Sequence, residues 1–314
     1  DANIIRENYR RLHSVISKYW NNLLICYAYK ANTLLSILKI VHELGAGAEV
    51  VSGGELYAAK LVGVPSDMII FDGVSKGLKE LFEAVYNEIL MINIENLDEL
   101  RLINEFASVA DFNISVGVRV NFNIPVNTHR HISTGMYTHK FGLDVKQAFE
   151  AYRYAREYTH IDVKGIHVHI GSQILNCDSY LLLAEKVLSF SRRLKNELGI
   201  SLSYVDLGGG FGIPYHSGDA EFPLEEYGLK VVNKIAEGAG EVFDDNLTLV
   251  LEPGRYIVGN AGYLLTTVNY VKSVSGVNWV LVDAGMNDML RPALYSAYHP
   301  IFAMSSSSSS SKYP

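Results

Sequence analysis

Cysteine is scarce: Cys26 and Cys177 are the only two in 314 residues. Two thiols build neither a disulfide framework nor a zinc cluster, so a reducing, cytoplasmic compartment is the expectation. Cys26 lies in an apolar, strand-like run and reads as core. A surplus of basic charge is also missing. The formal net charge is −7, with acids and bases interspersed, so a nucleic-acid partner is not expected. No apolar run approaches the roughly 20 residues that cross a bilayer, so no membrane span is expected. No secretory leader is visible, and the chain starts mid-pattern with "DANIIRENYRRL". The P-loop pattern is absent, and "GGGFGI" does not supply the dinucleotide fingerprint.

What remains is 48% hydrophobic and 19% charged, the balance of a soluble globular protein with a large core. Short β-rich runs alternate with helical patterns. The strand candidates are 23–29, 46–52, 67–73, 89–94, 114–121, 164–171, 202–208 and 247–253. Stretches such as "TLLSILKIVHEL" between them repeat apolar residues at spacings of three and four, the helical period. Near-continuous apolar strands suit a parallel sheet buried on both faces. Eight strand–helix units over about 250 residues predict a (β/α)8 TIM barrel. An open doubly wound sheet is the alternative. After Gly259 two strand-like runs follow without helices, so a barrel over 1–258 and a partial β-sandwich or β-barrel domain over 259–314 are expected. Ser305–Ser311 read as a flexible tail or linker, or as serines standing in for other residues.

In such a barrel, chemistry sits at the C-terminal ends of the strands. Lys30 ends the first strand and His169 the sixth; "GGGFG" (208–212) follows the seventh and "EPGR" (252–255) ends the eighth. Lys30 is either a snorkelling lysine or one that loses its proton readily and bonds a carbonyl carbon. The glycine run is either a tight turn or a phosphate cradle. Arg255 could clamp a phosphate or carboxylate and Glu252 a ring nitrogen; otherwise they form a rim ion pair. His167 and His169 alternate as metal ligands do, but no carboxylate set is evident at the other strand ends, so no metal is expected. Ser52 and Glu55 read as a capping box. Lysine, cradle, carboxylate and stacking histidine together are what pyridoxal 5'-phosphate needs.

The sequence also resembles a family, the pyridoxal-phosphate-dependent decarboxylases of the alanine-racemase fold. The resemblance runs from about residue 4 to 301. It is carried by "YAYKAN", "GAGAEVVSGGELYAAKLVGVP", "HISTG" with "HKFGLD", "GIHVHIGSQ", "DLGGGFGIPY", "EPGRYIVGNAG" and "DAGMNDMLRPALYSAYHPI". It implies that Lys30 holds the cofactor covalently, His169 stacks on its ring and Glu252 pairs with its nitrogen. Ser172, Gly208, Gly209 and Gly210 then fall at phosphate-binding positions, beside Pro253, Gly254 and Arg255. Arg255 also lies at the substrate end, and Arg291 and Tyr295 match residues that hold the distal part of the substrate. An arginine there favours a substrate with a distal carboxylate, diaminopimelate, decarboxylated to lysine. Ornithine, arginine and carboxynorspermidine are the alternative substrates; a metal hydrolase or a non-catalytic cofactor-binding protein are the alternative classes. The resemblance further implies a homodimer with shared active sites. The family's "CESGD"-like and "AYGF"-like segments and its first strand have no counterpart here, so the second domain reads as truncated.

Overall fold

The computed structural model describes residues 1–125, 140–216 and 218–304. "HISTG" and the serine run therefore lie outside the described residues. The chain forms two compact units. The larger takes Asp1–Ile213 and Glu221–Gly262, the smaller Pro214–Ala220 and Tyr263–Pro314.

In the larger unit α1 (Ala2–Ile16) precedes an alternation of strands and helices. The order is β1 (Leu23–Ala28), α2 (Leu35–His42), β2 (Gly47–Val50), α3 (Gly53–Leu61), β3 (Ile69–Phe71), α4 (Leu78–Tyr86), β4 (Met91–Ile94), α5 (Leu97–Ala110) and β5 (Ile114–Asn121). A two-residue β6 (Leu143–Asp144), α6 (Val145–Ala155), β7 (Ile161–His167), α7 (Asp178–Arg193), β8 (Leu202–Asp206), short helices α8 (Leu224–Glu226) and α9 (Asn233–Ala236), β9 (Phe243–Leu251) and α10 (Arg255–Val258) follow. Every pairing among these strands is parallel, and β1–β9 and β4–β5 close the ring, giving the expected eight-stranded barrel. Among the described residues no helix is long and apolar enough to cross a membrane.

The expected sixth strand stops at His167, not 171. Its partner β8 ends at Asp206, and Gly208 then turns away with φ 65°; Val168 N–H still donates to the Asp206 carbonyl at 2.9 Å. The expected capping box at α3 is half formed. Ser52 Oγ accepts from the Glu55 N–H, but Glu55 Oε2 accepts from Val51 N–H at 2.7 Å. The carboxylate reaches one residue further back and secures the end of β2 instead.

The barrel interior is layered. One layer below the C-terminal ends Cys26, Ile70, Met91 and Val250 pack as an apolar cluster. Met91 and Asn93 need room, and the facing strands provide it. Gly117 of β5 and Gly165 of β7 stand side by side in register. A Cβ on Gly165 would run into Met91 Sδ, and one on Gly117 into Asn93 Oδ1. Towards the C-terminal ends the interior turns polar: Glu49, Asn93, Arg119, His167 and Asp206 are all buried there.

The smaller unit contains an antiparallel hairpin, β10 (Val268–Val274) and β11 (Val277–Val282). Ser275 and Gly276 join the strands with φ of 53° and 81°, the left-handed pair that matches strand twist. Helix α11 (Arg291–Tyr295) follows, and His216 stacks on Tyr298 with ring centroids 4.2 Å apart.

Filling the gap opposite Met91 should strain the barrel. Gly165→Ala is expected to lose about 1–3 kcal/mol by urea unfolding, the usual result of overpacking. An unchanged midpoint would show that Met91 can move aside.

Candidate active site

Lys30 leaves the barrel on a single helical turn, Tyr29–Ala31, directly after β1. Two neighbours fix that turn. Ala28 N–H donates to the Pro253 carbonyl at 3.1 Å, and a Cβ on Gly254 would press on Ala28 and Ala31. The "EPGR" loop is thereby locked against the lysine turn. The Lys30 ammonium donates to both oxygens of Glu49 at 2.6 Å. Its side chain keeps 49% of its surface accessible although protein surrounds it, the position of a group lining a concavity. Burial works to lower its pKa, but Glu49, Glu252 and Asp72 outweigh that and hold it above the ordinary lysine value. The expectation that Lys30 sheds its proton readily is therefore not met in this arrangement: three carboxylates hold the charge in place.

Those carboxylates also overturn the expectation that no carboxylate set gathers at the strand ends. Asp72 follows β3 and accepts from Asn93 Nδ2 at 2.7 Å. His167 Nε2 lies 3.2 Å from Glu252 Oε2 and 3.4 Å from Asp72 Oδ2. The three groups could hold a metal by distance alone. The imidazole N–H between two carboxylates already accounts for the cluster without one. Burial works to raise the Asp72 pKa, but His167, Arg119 and Lys30, with the Asn93 hydrogen bond, bring it well below the carboxylate range. Burial pushes Glu252 well above that range, with Asp72 and Glu49 adding to the effect.

Asp206 completes the group. Its Oδ1 accepts from Gly208 N–H at 2.8 Å. Neither its Oδ2 nor Glu252 Oε1 has a conventional donor among the described residues. The two carboxyl groups face each other and share a proton, which resides on Asp206 because burial and the Glu252 charge raise its pKa well above the usual value. A carboxylate oxygen accepts more than one hydrogen bond, so Glu252 keeps acceptor capacity for a further donor.

The glycine run is packed tightly. A Cβ on Gly209 would meet the Glu252 carbonyl, one on Gly208 the Val168 carbonyl and His169 Nδ1, and one on Gly210 the Gly171 carbonyl. Tyr180 Oη donates to the Gly209 carbonyl at 2.8 Å and fixes the loop from behind. Arg255 bridges to Ser172, donating from Nε and Nη2 to Oγ at 3.3 and 3.2 Å. His169 Nδ1 accepts from Gly209 N–H at 3.3 Å, which leaves its proton on Nε2. Burial, with the Lys30 and Arg119 charges, drives its pKa well below the ordinary value, so the ring is neutral at pH 7. Arg119 itself pairs with Glu95 at 2.6 Å in a buried ion pair.

The larger unit thus brings Lys30, His169, Ser172, Gly208–Gly210, Glu252 and Pro253–Arg255 to one end of the barrel. Arg291 and Tyr295 lie in the smaller unit on α11, with the guanidinium 5.6 Å from the tyrosine ring centre. Glu49, Asp72, Asp206 and Arg119 escaped the sequence reading. Their signal was present: each is a lone charge near the C-terminal end of an apolar strand run.

A lysine with a half-accessible side chain, a side-chain-free loop beside a serine and an arginine, a neutral imidazole and a buried carboxylate fit a flat pyridine that carries an aldehyde and a phosphate. Fold and site together define a pyridoxal-phosphate barrel enzyme. Residues 3–259 match the profile of the pyridoxal-dependent decarboxylase, pyridoxal binding domain, and the chain belongs to that family. Its relatives narrow the assignment. The chain is 41% identical over 300 residues to the diaminopimelate decarboxylase of Aquifex aeolicus, covering 96% of this chain and 69% of that one. It is 41% identical over 304 residues to that of Methanocaldococcus jannaschii, covering 95% and 68%. The crystal structure of the Helicobacter pylori diaminopimelate decarboxylase complexed with L-lysine superposes with a TM-score of 0.90 at 35% identity, covering 98% of this chain and 75% of that one.

Asp206 generates a pH prediction. Unfolded, it ionises near 3.8; folded, it keeps its proton to much higher pH. The stability it contributes is full below the unfolded value and declines as pH rises towards the folded one. Asp206→Asn keeps the acceptor for Gly208 and offers Nδ2–H to Glu252, so the variant should lose less stability than the parent between pH 5 and pH 8. Parallel pH profiles in thermal unfolding would remove the shared proton from the description.

Proposed function

We propose that this protein removes one carboxyl group from meso-2,6-diaminopimelate to give L-lysine, using pyridoxal 5'-phosphate. The chemistry rests above all on one observation: the half-accessible Lys30 side chain at the C-terminal end of a barrel that also holds Glu252. The substrate rests on identity to diaminopimelate decarboxylases along nearly the whole chain.

The bound cofactor supplies a ring that absorbs the electron pair left when CO2 departs. The chain's residues do the rest. Lys30 would hold the cofactor through its amine, at the end of the barrel where the substrate amine must arrive. Ser172 and Arg255 would hold the phosphate through hydroxyl and guanidinium donors, against the side-chain-free Gly208–Gly210 loop. His169, neutral and fixed by Gly209, presents a flat face to the ring without adding a repelling cation. Glu252 holds a proton at the ring nitrogen. Arg291 and Tyr295 take the far end of the substrate, the arginine by paired hydrogen bonds to its second carboxylate. The protein works as a homodimer in the cytoplasm, a setting that suits its two buried free thiols.

Lys30→Ala should abolish CO2 release and the cofactor's visible absorbance together; retained turnover would sink the role of Lys30. Arg291→Ala should reduce kcat/KM for diaminopimelate by about 100-fold, roughly 2.7 kcal/mol of lost transition-state binding, and affect ornithine far less. Equal losses on both substrates would remove Arg291 from distal recognition.

A further inference from the structure

Behind Glu252 the barrel holds a chain of buried groups that the reaction above does not use. Asn93, on β4, donates from Nδ2 to Asp72 Oδ1 at 2.7 Å. Asp72 Oδ2 lies 3.4 Å from His167 Nε2, and the same nitrogen lies 3.2 Å from Glu252 Oε2. Both acceptors face Nε2, so that nitrogen carries the proton; Nδ1 has no partner among the described residues. Lys76 braces the assembly from outside. Its buried ammonium donates to the Gly73 and Asn93 carbonyls at 2.7 and 2.8 Å and pairs with Glu99 at 3.1 Å. The loop carrying Asp72 and the strand carrying Asn93 are thereby tied together.

We propose that His167 is a positioning residue for Glu252: oriented by the Asn93–Asp72 pair, it donates its Nε2 proton to Oε2 and leaves the rest of the carboxylate directed at the cofactor's ring nitrogen. The inference rests on the functional reading above. It answers an electrostatic problem. The titratable groups around Glu252 are Glu49, Asp72, Asp206, Lys30 and His167 itself. Burial among so many acids favours the protonated form of Glu252, which could no longer hold a proton on the ring nitrogen. A hydrogen bond donated to the ionised carboxylate favours the form that can. Groups behind the directly binding residue commonly change activity by about 10–100-fold when removed, as metal sites illustrate.

The test uses the holoprotein loaded with pyridoxal phosphate labelled with nitrogen-15 in the ring. In the parent the ring-nitrogen signal should be that of a protonated pyridine. In His167→Leu it should move towards the unprotonated value, with kcat down about 10–100-fold and KM little changed. His167→Gln, which retains a donor, should restore most of both. With a cofactor analogue bearing CH in place of the ring nitrogen, parent and Leu variant should turn over at nearly equal rates. Should the Leu variant fail to fold, Asp72→Asn carries the test: it keeps the side-chain shape but loses the charge that orients His167, and should shift the same signal. An unmoved ring-nitrogen signal in a folded variant, or an equal kcat loss with the analogue, overturns the proposal. If the parent binds no cofactor or releases no CO2, the functional reading fails first. If the parent does both and the folded variants leave the ring-nitrogen signal unmoved, the positioning role alone fails.

Discussion

The site is governed by the need to keep four carboxyl groups together in a space that excludes most water. Glu49, Asp72, Asp206 and Glu252 are each less than 5% exposed at the same end of the barrel. Left unpaired, each would cost several kcal/mol to bury ionised. The fold applies a different remedy to each. Glu49 takes the Lys30 ammonium through both oxygens, Asp72 takes Asn93 and shares His167, and Asp206 keeps its proton. Glu252 is held between His167 and Asp206.

This arrangement gives Lys30 two states with different partners. Without the cofactor its charge completes Glu49. If Lys30 bonds the cofactor as proposed, Glu49 would lose that bidentate partner, and cofactor capture would be an exchange of ion pairs as well as a bond formation. Arg119 contributes a positive charge to the same end while remaining tied to Glu95.

Much of this was legible in the sequence, for a reason that also sets its limit. Strand ends can be read from apolar runs, and in a closed parallel barrel all strand ends of one polarity meet. Lys30, His169, the glycine run and "EPGR" were legible because each is a local pattern that finishes such a run. Glu49 in "GAEVV", Asp72 in "IIFDG" and Asp206 in "YVDLG" finish runs too, but a single acid after apolar residues has no local signature. Their importance comes from neighbours on other strands: β7 brings His167 to Asp72 after β3 and to Glu252 after β9. The charge state of Lys30 was misread for the same reason, since it depends on acids that a local reading leaves unassembled. The chain leaves β7 at His167 because a glycine in another loop ends the partner strand, which no window around His167 contains.

The methionine set between two glycines has a chemical consequence of its own. Met91 is fully buried, and the faces of Gly117 and Gly165 turned towards it have no room for even one extra carbon. Conversion of the thioether to the sulfoxide adds an oxygen and a strong dipole to that same space. An oxidant reaches this sulfur only when the barrel opens, and the product no longer fits when it closes. Oxidation at Met91 would thus convert a transient opening into a permanent one, making this single sulfur atom a record of how often the barrel comes apart.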